Sequence, residues 1–259
     1  MIATDLGACS DGVNHIYSYS AGNTAGPRVL LVGGIHGEEV LGQHGAMRWF
    51  QQFSASADVR MVYLRSLLEM TWIPTLNPYG YRTARLNANA VDPNRNFDYA
   101  WGDYIPEDEY HAKGSAAFSE AESIAIKTLV DGDATIKAII DCHNFGTTPS
   151  EMQVVMPTVN AGGTTAQAIG NAARARWASV YGSPSGYSIS VQRLNEELPM
   201  MIHWFQSLGR ANSAAVTVEA PMNFEESVGG VARHMTTDGA LALYCGFITH
   251  WLLEWLGTW

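Results

Sequence analysis

The chain has 259 residues, 47% of them hydrophobic and 15% charged, with a net charge of −10. That is enough apolar sequence for a full core, in one large α/β domain or two small ones. The acidic balance, without any basic run, excludes nucleic acid and anionic membrane surfaces as expected partners.

The three cysteines, Cys9, Cys142 and Cys245, are widely spaced and indicate no disulfide framework. No run approaches the roughly 20 apolar residues of a membrane span. Met1 to Leu6 has neither the positive nor the apolar region of a signal peptide, so a soluble, cytoplasmic protein is expected. Residues 1–27 are rich in Gly, Asn and Ser around one alternating patch, Ile16-Tyr17-Ser18-Tyr19, which predicts an edge strand ending in a turn at Ala21-Gly22-Asn23. Residues 28–35 follow as a buried strand built on Val29-Leu30-Leu31-Val32. Gly33 and Gly34 end it, and His36 and Glu39 come directly after, three apart. One turn of backbone thus delivers a nitrogen and an oxygen ligand suited to zinc, still short of a third protein ligand. Alone, His-x-x-Glu is a weak signal and far more often an ordinary surface turn.

The spacing of Val40, Leu41, Ala46, Met47, Trp49 and Phe50 predicts a helix over 38–53. Residues 58–68 read as a second strand and 72–76 as a third, ended by the turn Asn77-Pro78-Tyr79-Gly80. Residues 81–118 form a long polar and aromatic loop, a length that points to function. Ser119 as N-cap with Glu122 three residues on predicts a capping box at the start of the next helix. Ile136 to Cys142 is the next strand, ending in Asp141-Cys142-His143-Asn144. A short strand at 152–156, an amphipathic helix at 164–181, a loop at 182–195 and a short helix at 196–208 follow. Ala214 to Val218 reads as a last strand ended by Glu219-Ala220-Pro221, and residues 228–259 as one long helix.

Strands alternating with helices predict one layered α/β domain over residues 1–259 with a largely parallel sheet. His36 with Glu39, His143, and Glu219 each fall just after an apolar strand, and sites in such sheets form at the strands' carboxyl ends. Two histidines and a glutamate that leave one position open make a hydrolytic zinc set. Cys142 alternates with His143 and is expected to pack in the core. The remaining histidines have no comparable context.

These residues resemble the zinc carboxypeptidase family, the carboxypeptidase A/B type with its shorter relatives. The resemblance is carried, in order, by Gly34-Ile35-His36-Gly37-Glu38-Glu39, Asn77-Pro78-Tyr79-Gly80, Arg85, Val91-Asp92-Pro93-Asn94-Arg95-Asn96-Phe97, Asp141-Cys142-His143 and Thr217-Val218-Glu219-Ala220. Phe118-Ser119-Glu120-Ala121-Glu122 also matches a common family segment. The short length is similar to murein peptide amidases, which cleave a cell-wall tripeptide. The zinc ligands are shared with the aspartoacylase and succinylglutamate desuccinylase branch, which cleaves acyl-amino acids.

The resemblance implies a three-layer α/β/α fold with a mixed, largely parallel sheet. It also implies a metallopeptidase with one zinc per chain, held by His36, Glu39 and His143, and Glu219 as the base that activates the water on it. Arg85 would stabilise the oxyanion, with Arg82 as a competitor for that role. Asn94 and Arg95 would grip the substrate's terminal carboxylate, as a planar bidentate donor can. Asp92 would orient His36, or simply serve its turn. The substrate would be a small peptide or an acyl-amino acid. The alternatives are an N-acyl amino acid hydrolase, or a non-catalytic binding module on the same fold. Two departures stand out. Pro93 replaces a more usual apolar or small residue, and no tyrosine has the family's spacing before the base. Tyr187 fits that substrate-capping role only if the segment before Glu219 carries an insertion. Met200, Met201 and Ile202 are either a pocket wall or a packed helix face.

Overall fold

The structure, a computed structural model, describes residues 1–144, 151–156, 160–181, 188–194, 197–220, 225–228, 231–234 and 237–258. The strands are β1 (Ile2–Ala8), β2 (His15–Gly22), β3 (Arg28–Gly33), β4 (Glu69–Ile73), β5 (Ile136–Asn144), β6 (Glu151–Met156), β7 (Ser188–Arg193), β8 (Ala214–Ala220), β9 (Glu225–Val228) and β10 (Val231–His234). The helices are α1 (Val40–Ala55), α2 (Val59–Leu67), α3 (Ala121–Gly132), α4 (Asn160–Tyr181), α5 (Met201–Ser207) and α6 (Thr237–Leu256). Among the described residues, no helix is long and apolar enough to cross a membrane.

Four consecutive apolar residues can all be buried only in the middle of a sheet covered on both faces. Val29 to Val32 occupy that place, with no exposed surface. The sheet order is β1-β2-β4-β3-β5-β8-β6-β7. Its centre is parallel, β4 with β3, β3 with β5 and β5 with β8. The contacts β1–β2, β2–β4 and β8–β6 are antiparallel, and β6–β7 is parallel again. The sheet is therefore mixed, as the resemblance implies. β9 and β10 pair apart from it.

Strand alternation divides the core in two. Val29 and Leu31, Ala138, Ile140 and Cys142, and Val216 and Val218 face Trp49, Phe50 and Phe53 of α1 and Phe247 and Trp251 of α6. Leu30, Val32, Ile139 and Ala215 face Ile126 and Val130 of α3 and Met201, Ile202 and Phe205 of α5. This is the α/β/α layering. All three cysteines are buried and unbridged, Cys142 in the first core as its strand position predicts.

Several elements differ from the sequence expectations. Residues 58–68 hold helix α2 rather than a strand. Asp58 caps it by accepting the Arg60 N–H at 2.8 Å, and Met61 and Leu64 are buried while Val59, Val62 and Tyr63 are exposed. The burial follows the helical repeat, although apolar residues at 59, 61, 62 and 64 also imitate a strand. The following strand starts at Glu69, earlier than expected, and stops before Pro74, which has no N–H for a ladder. β1 is an additional strand, and it makes β2 internal. β7 lies inside the segment expected to be a loop, and β9 and β10 precede α6, which is shorter than the helix expected over 228–259.

The capping box at α3 does not form. Ser119 Oγ donates to Glu120 Oε1 instead, and the Glu122 carboxylate accepts from Ser10 N and Asn87 Nδ2. Tertiary partners have taken the side chains the local motif would use.

Candidate active site

The turn after β3 brings the first two groups inward. Gly34 has φ +62°, and a Cβ there would meet the Gln43 side chain at 2.7 Å. Gly37 lies against the backbone of Gly80, where a Cβ would come within 2.1 Å of a carbonyl carbon. The two turns are joined by Asn77 N–H donating to Gly34 O at 2.8 Å and Arg82 N–H to Gly37 O at 2.9 Å. Asn77 Nδ2 also donates to Arg85 O and Leu86 O. The Asn77 to Gly80 turn thus brackets both the His36 loop and the start of the Arg85 strap.

His143 and Glu219 come from adjacent parallel strands and are register partners across β5 and β8. One ligand atom each of His36, Glu39 and His143, all buried, lies within 4.8 Å of the others, a group that could hold a metal ion. His36 Nδ1 stands 2.7 Å from Glu39 Oε1, and His143 Nδ1 stands 2.8 Å from Glu39 Oε2. The far nitrogens face carboxylates, His36 Nε2 to Asp92 Oδ1 at 3.0 Å and His143 Nε2 to Asp141 Oδ2 at 2.8 Å.

This arrangement tests the fit of a cation. With each Nε2–H committed to an aspartate, the two Nδ1 lone pairs would face the lone pairs of Glu39. A proton on each ring or a shared cation resolves that conflict at both histidines, whereas the Arg85 Nη1 donor, 3.1 Å from His36 Nδ1, meets it at His36 alone. Burial opposes charge on His36, yet Glu39 and Asp92 hold it more basic than usual; His143, held by Asp141 and Glu39, is strongly so. Despite burial, the two imidazoles keep the Glu39 carboxyl well below the usual range, and His36 and Arg85 do the same for Asp92. Nitrogen and oxygen donors of this kind are a zinc set.

Asp92 serves more than His36. Its Oδ2 accepts from Arg85 Nε at 3.1 Å and Nη2 at 2.8 Å, and Arg95 Nη1 lies 4.0 Å away. Arg85 Nη1 also donates toward His36 Nδ1 at 3.1 Å. Arg82 is exposed, lies over the Tyr81 ring, and does not line the central cavity, whereas Arg85 does. Arg95 is held by its own backbone neighbourhood, with Nη1 donating to Asn94 O at 3.0 Å, and it faces the same cavity.

Asn94 is fully buried. Its Nδ2 lies 3.3 Å from both Asp141 Oδ2 and His143 Nε2, and its Oδ1 accepts the Met201 N–H. Its amide is thus engaged with the His143 support and α5. Pro93 fits as the first residue of a one-turn 3-10 segment, where Asp92 accepts the Asn94 N–H.

Glu219 lines the cavity, and its Oε2 is buried without a hydrogen-bond partner among the described residues. Burial pushes its carboxyl up to about 7, with His143 opposing and Glu39 adding to the shift. The cavity measures about 570 Å³ and is also lined by Tyr104, Glu107, His111, Asn144, Val155, Gln192, Arg193, Leu194, Leu198, Met200 and Thr217. Met200 belongs to the cavity wall, while Met201 and Ile202 belong to the core below it. Tyr187 lies outside the described residues.

Sequence reasoning missed two supports. Asp141 stands two residues before His143 on one strand and so on the same face, a readable signal. Asn144 donates its N–H to Glu39 Oε2 at 3.0 Å, and its Oδ1 accepts from Gly42 N, a contact made through the fold alone.

A family model described as zinc carboxypeptidase matches residues 10–220. Among solved structures, the chain is similar to carboxypeptidase A from Helicoverpa armigera, at 19% identity and a TM-score of 0.77, covering 99% of this chain and 68% of that one. It is similar to a metallo-carboxypeptidase from Burkholderia cenocepacia at 13% identity and TM-score 0.75, covering 99% and 65%. A third is bovine thrombin-activatable fibrinolysis inhibitor in complex with tick carboxypeptidase inhibitor, at 16% identity and TM-score 0.74, covering 100% and 91%. At these identities the structural likeness concerns the fold, and the chain spans about two thirds of the length of the first two.

Proposed function

The chain belongs to the zinc carboxypeptidase family, a family of zinc hydrolases, and from that premise we propose that it hydrolyses a peptide or amide bond next to a free carboxylate. The observation that carries this reading is the meeting, in one cavity, of the His36–Glu39–His143 donors, the Glu219 carboxylate with its unbonded Oε2 and the Arg95 guanidinium.

His36, Glu39 and His143 would hold one zinc ion, and zinc supplies a Lewis acid that acidifies water and polarises a carbonyl. Asp92 and Asp141 keep each imidazole in the tautomer whose Nδ1 lone pair faces inward. Asn94 steadies Asp141 and, as a lining residue of the same cavity, joins Arg95 at the substrate carboxylate. Arg95 receives the substrate carboxylate on its guanidinium. Arg85, fixed by Asp92, directs Nη1 toward the donor cluster, where it can meet the oxyanion of the attacked carbonyl. Glu219 takes the proton of the attacking water on a carboxylate oxygen and returns it to the leaving nitrogen. Its raised basicity suits a group that must both accept and give a proton near neutral pH.

The test is a hydrolysis screen of the zinc-loaded protein on C-terminal dipeptides, their C-terminal amides, a cell-wall tripeptide and N-acyl amino acids. Turnover confined to free-carboxylate peptides is expected. Equal turnover of amides would overturn the carboxylate requirement, and turnover of N-acyl amino acids alone would select the acyl-amino acid chemistry.

A further inference from the structure

The loop after the Asn94-Arg95 pair is built around one tyrosine. Ala100, at φ +51°, closes a turn in which Tyr104 N–H donates to Ala100 O at 3.0 Å. Lys113 then clamps the turn, with Nζ donating to Trp101 O at 2.8 Å and Tyr104 O at 2.6 Å. The same ammonium lies 4.4 Å from the centre of the Trp101 ring, whose Nε1–H donates back to Lys113 O at 3.0 Å. A lysine bonded to two carbonyls and stacked on an indole spends its donors on loop geometry rather than on solvent.

The Tyr104 side chain is what this clamp presents. Its hydroxyl accepts from Arg95 Nε at 3.3 Å and donates to His111 O at 3.5 Å, and Tyr104, His111 and Arg95 all line the cavity. The guanidinium lies 6.0 Å from the centre of the tyrosine ring. A guanidinium has five N–H donors and can meet a carboxylate by its Nε–Nη side or by its Nη1–Nη2 end. Here Nε is taken by Tyr104 and one Nη1 donor by Asn94 O, while Nη2 has no partner among the described residues. Only the end-on edge is left for a ligand.

We propose that Tyr104 is a positioning residue that occupies Arg95 Nε and so fixes the guanidinium to read a substrate carboxylate end-on, with Lys113 holding the loop that presents it. The proposal rests on the reading in which Arg95 receives the carboxylate. It adds what selects one orientation of that carboxylate, and therefore where the neighbouring amide lies relative to the zinc donors.

The experiment measures calorimetric binding of a dipeptide and of its C-terminal amide to the zinc-loaded Glu219→Gln protein, which does not consume them. Tyr104→Phe keeps the ring and removes the hydroxyl. The free dipeptide should bind roughly five- to tenfold more weakly and the amide unchanged, the size expected for one hydrogen bond. In active protein the same variant should raise KM by a similar factor and leave kcat within about twofold. Introduced into Arg95→Ala, Tyr104→Phe should have no further effect. Lys113→Met, which leaves the hydroxyl in place, should reproduce the weaker binding.

The outcomes separate cleanly. If Arg95→Ala leaves free-dipeptide binding intact, the carboxylate reading fails and the proposal with it. If Arg95→Ala weakens binding but Tyr104→Phe does not, or weakens it equally in both backgrounds, the reading stands and Tyr104 has no positioning role.

Discussion

Glu219 ends β8 with one buried carboxylate oxygen that no described residue bonds. Its carboxyl is raised from 4.5 to about 7 in the folded chain, mainly by burial. The unfolded chain therefore ionises first, and the metal-free protein loses stability as pH rises from 4.5 toward 7. Replacing the acid by an amide removes that loss. Metal-free Glu219→Gln should be more stable than wild type at pH 8, by a few kcal/mol at most, with the advantage shrinking toward pH 5. Melting curves at the two pH values check this. The same variant should keep zinc and lose at least about two orders of magnitude in kcat. Loss of zinc would make Glu219 a ligand, and retained turnover would remove it from the mechanism. Asp141 is the other single residue with a sharp expectation. Asp141→Ala should weaken zinc binding roughly 10- to 100-fold, as loss of a ligand's supporting carboxylate does, and competition with a chelator reads it. His36 and Glu39 were legible from their spacing and His143 from its place at the end of an apolar strand, whereas Asp92 was indicated only by the family resemblance. Asn144 was not legible, because its bond to Glu39 exists only once β5 lies beside the start of α1.

Elements meet at the site through two tight turns. Gly37 touches Gly80, so Gly37→Ala must push the His36 loop off the 77–80 turn. The expected result is a lower melting temperature together with weaker zinc binding, whereas wild-type values for both would show that the turns are not rigidly coupled. Helix α5 carries a second element-level effect. His203 is buried, stacked on Tyr99 at 5.5 Å, and neither ring nitrogen has a hydrogen-bond partner among the described residues. Burial, and then Arg95, push it down to about 4 from 6.5. Below 6.5 the unfolded chain gains a proton that the folded chain refuses until about 4, so stability falls with pH through that window. Glu219 and the donor histidines act in the opposite sense over the same range, so the His203 share is read as a difference: between pH 7.5 and 5, denaturant unfolding should show wild type losing stability relative to His203→Phe. β3, β5, β8 and α1, which bury clear apolar faces, were read correctly, and α2 was not. Its half-exposed surface carries valines and a tyrosine that favour strands, and only Asp58 and the packing of Met61 and Leu64 decide for a helix.

For the whole molecule, the parallel centre was legible because β3, β5 and β8 are apolar runs separated by helices. β1 was not, because a mostly exposed edge strand needs no hydrophobic pattern. The metal donors join segments far apart in the chain, so zinc acts on global stability. A chelator should lower the melting temperature of wild type and leave His143→Ala, which lacks a donor, nearly unchanged. Calorimetry with and without chelator measures both, and an equal shift in the two would place the metal elsewhere. The sheet order also sets a sequence of assembly. The three zinc donors are complete once residue 143 has been made, but β6 and β7 reach the sheet only through β8, which is synthesised after them. In a chain growing from its N-terminus all three donor residues are therefore present while the outer pair of strands still waits for a strand not yet translated, and for the glutamate near the end of it. Such long-range insertion is slow compared with local pairing. In pulse-labelled hydrogen exchange during refolding, β6 and β7 amides should gain protection no earlier than those of β8, and earlier protection would show that the outer pair forms without the strand it docks on.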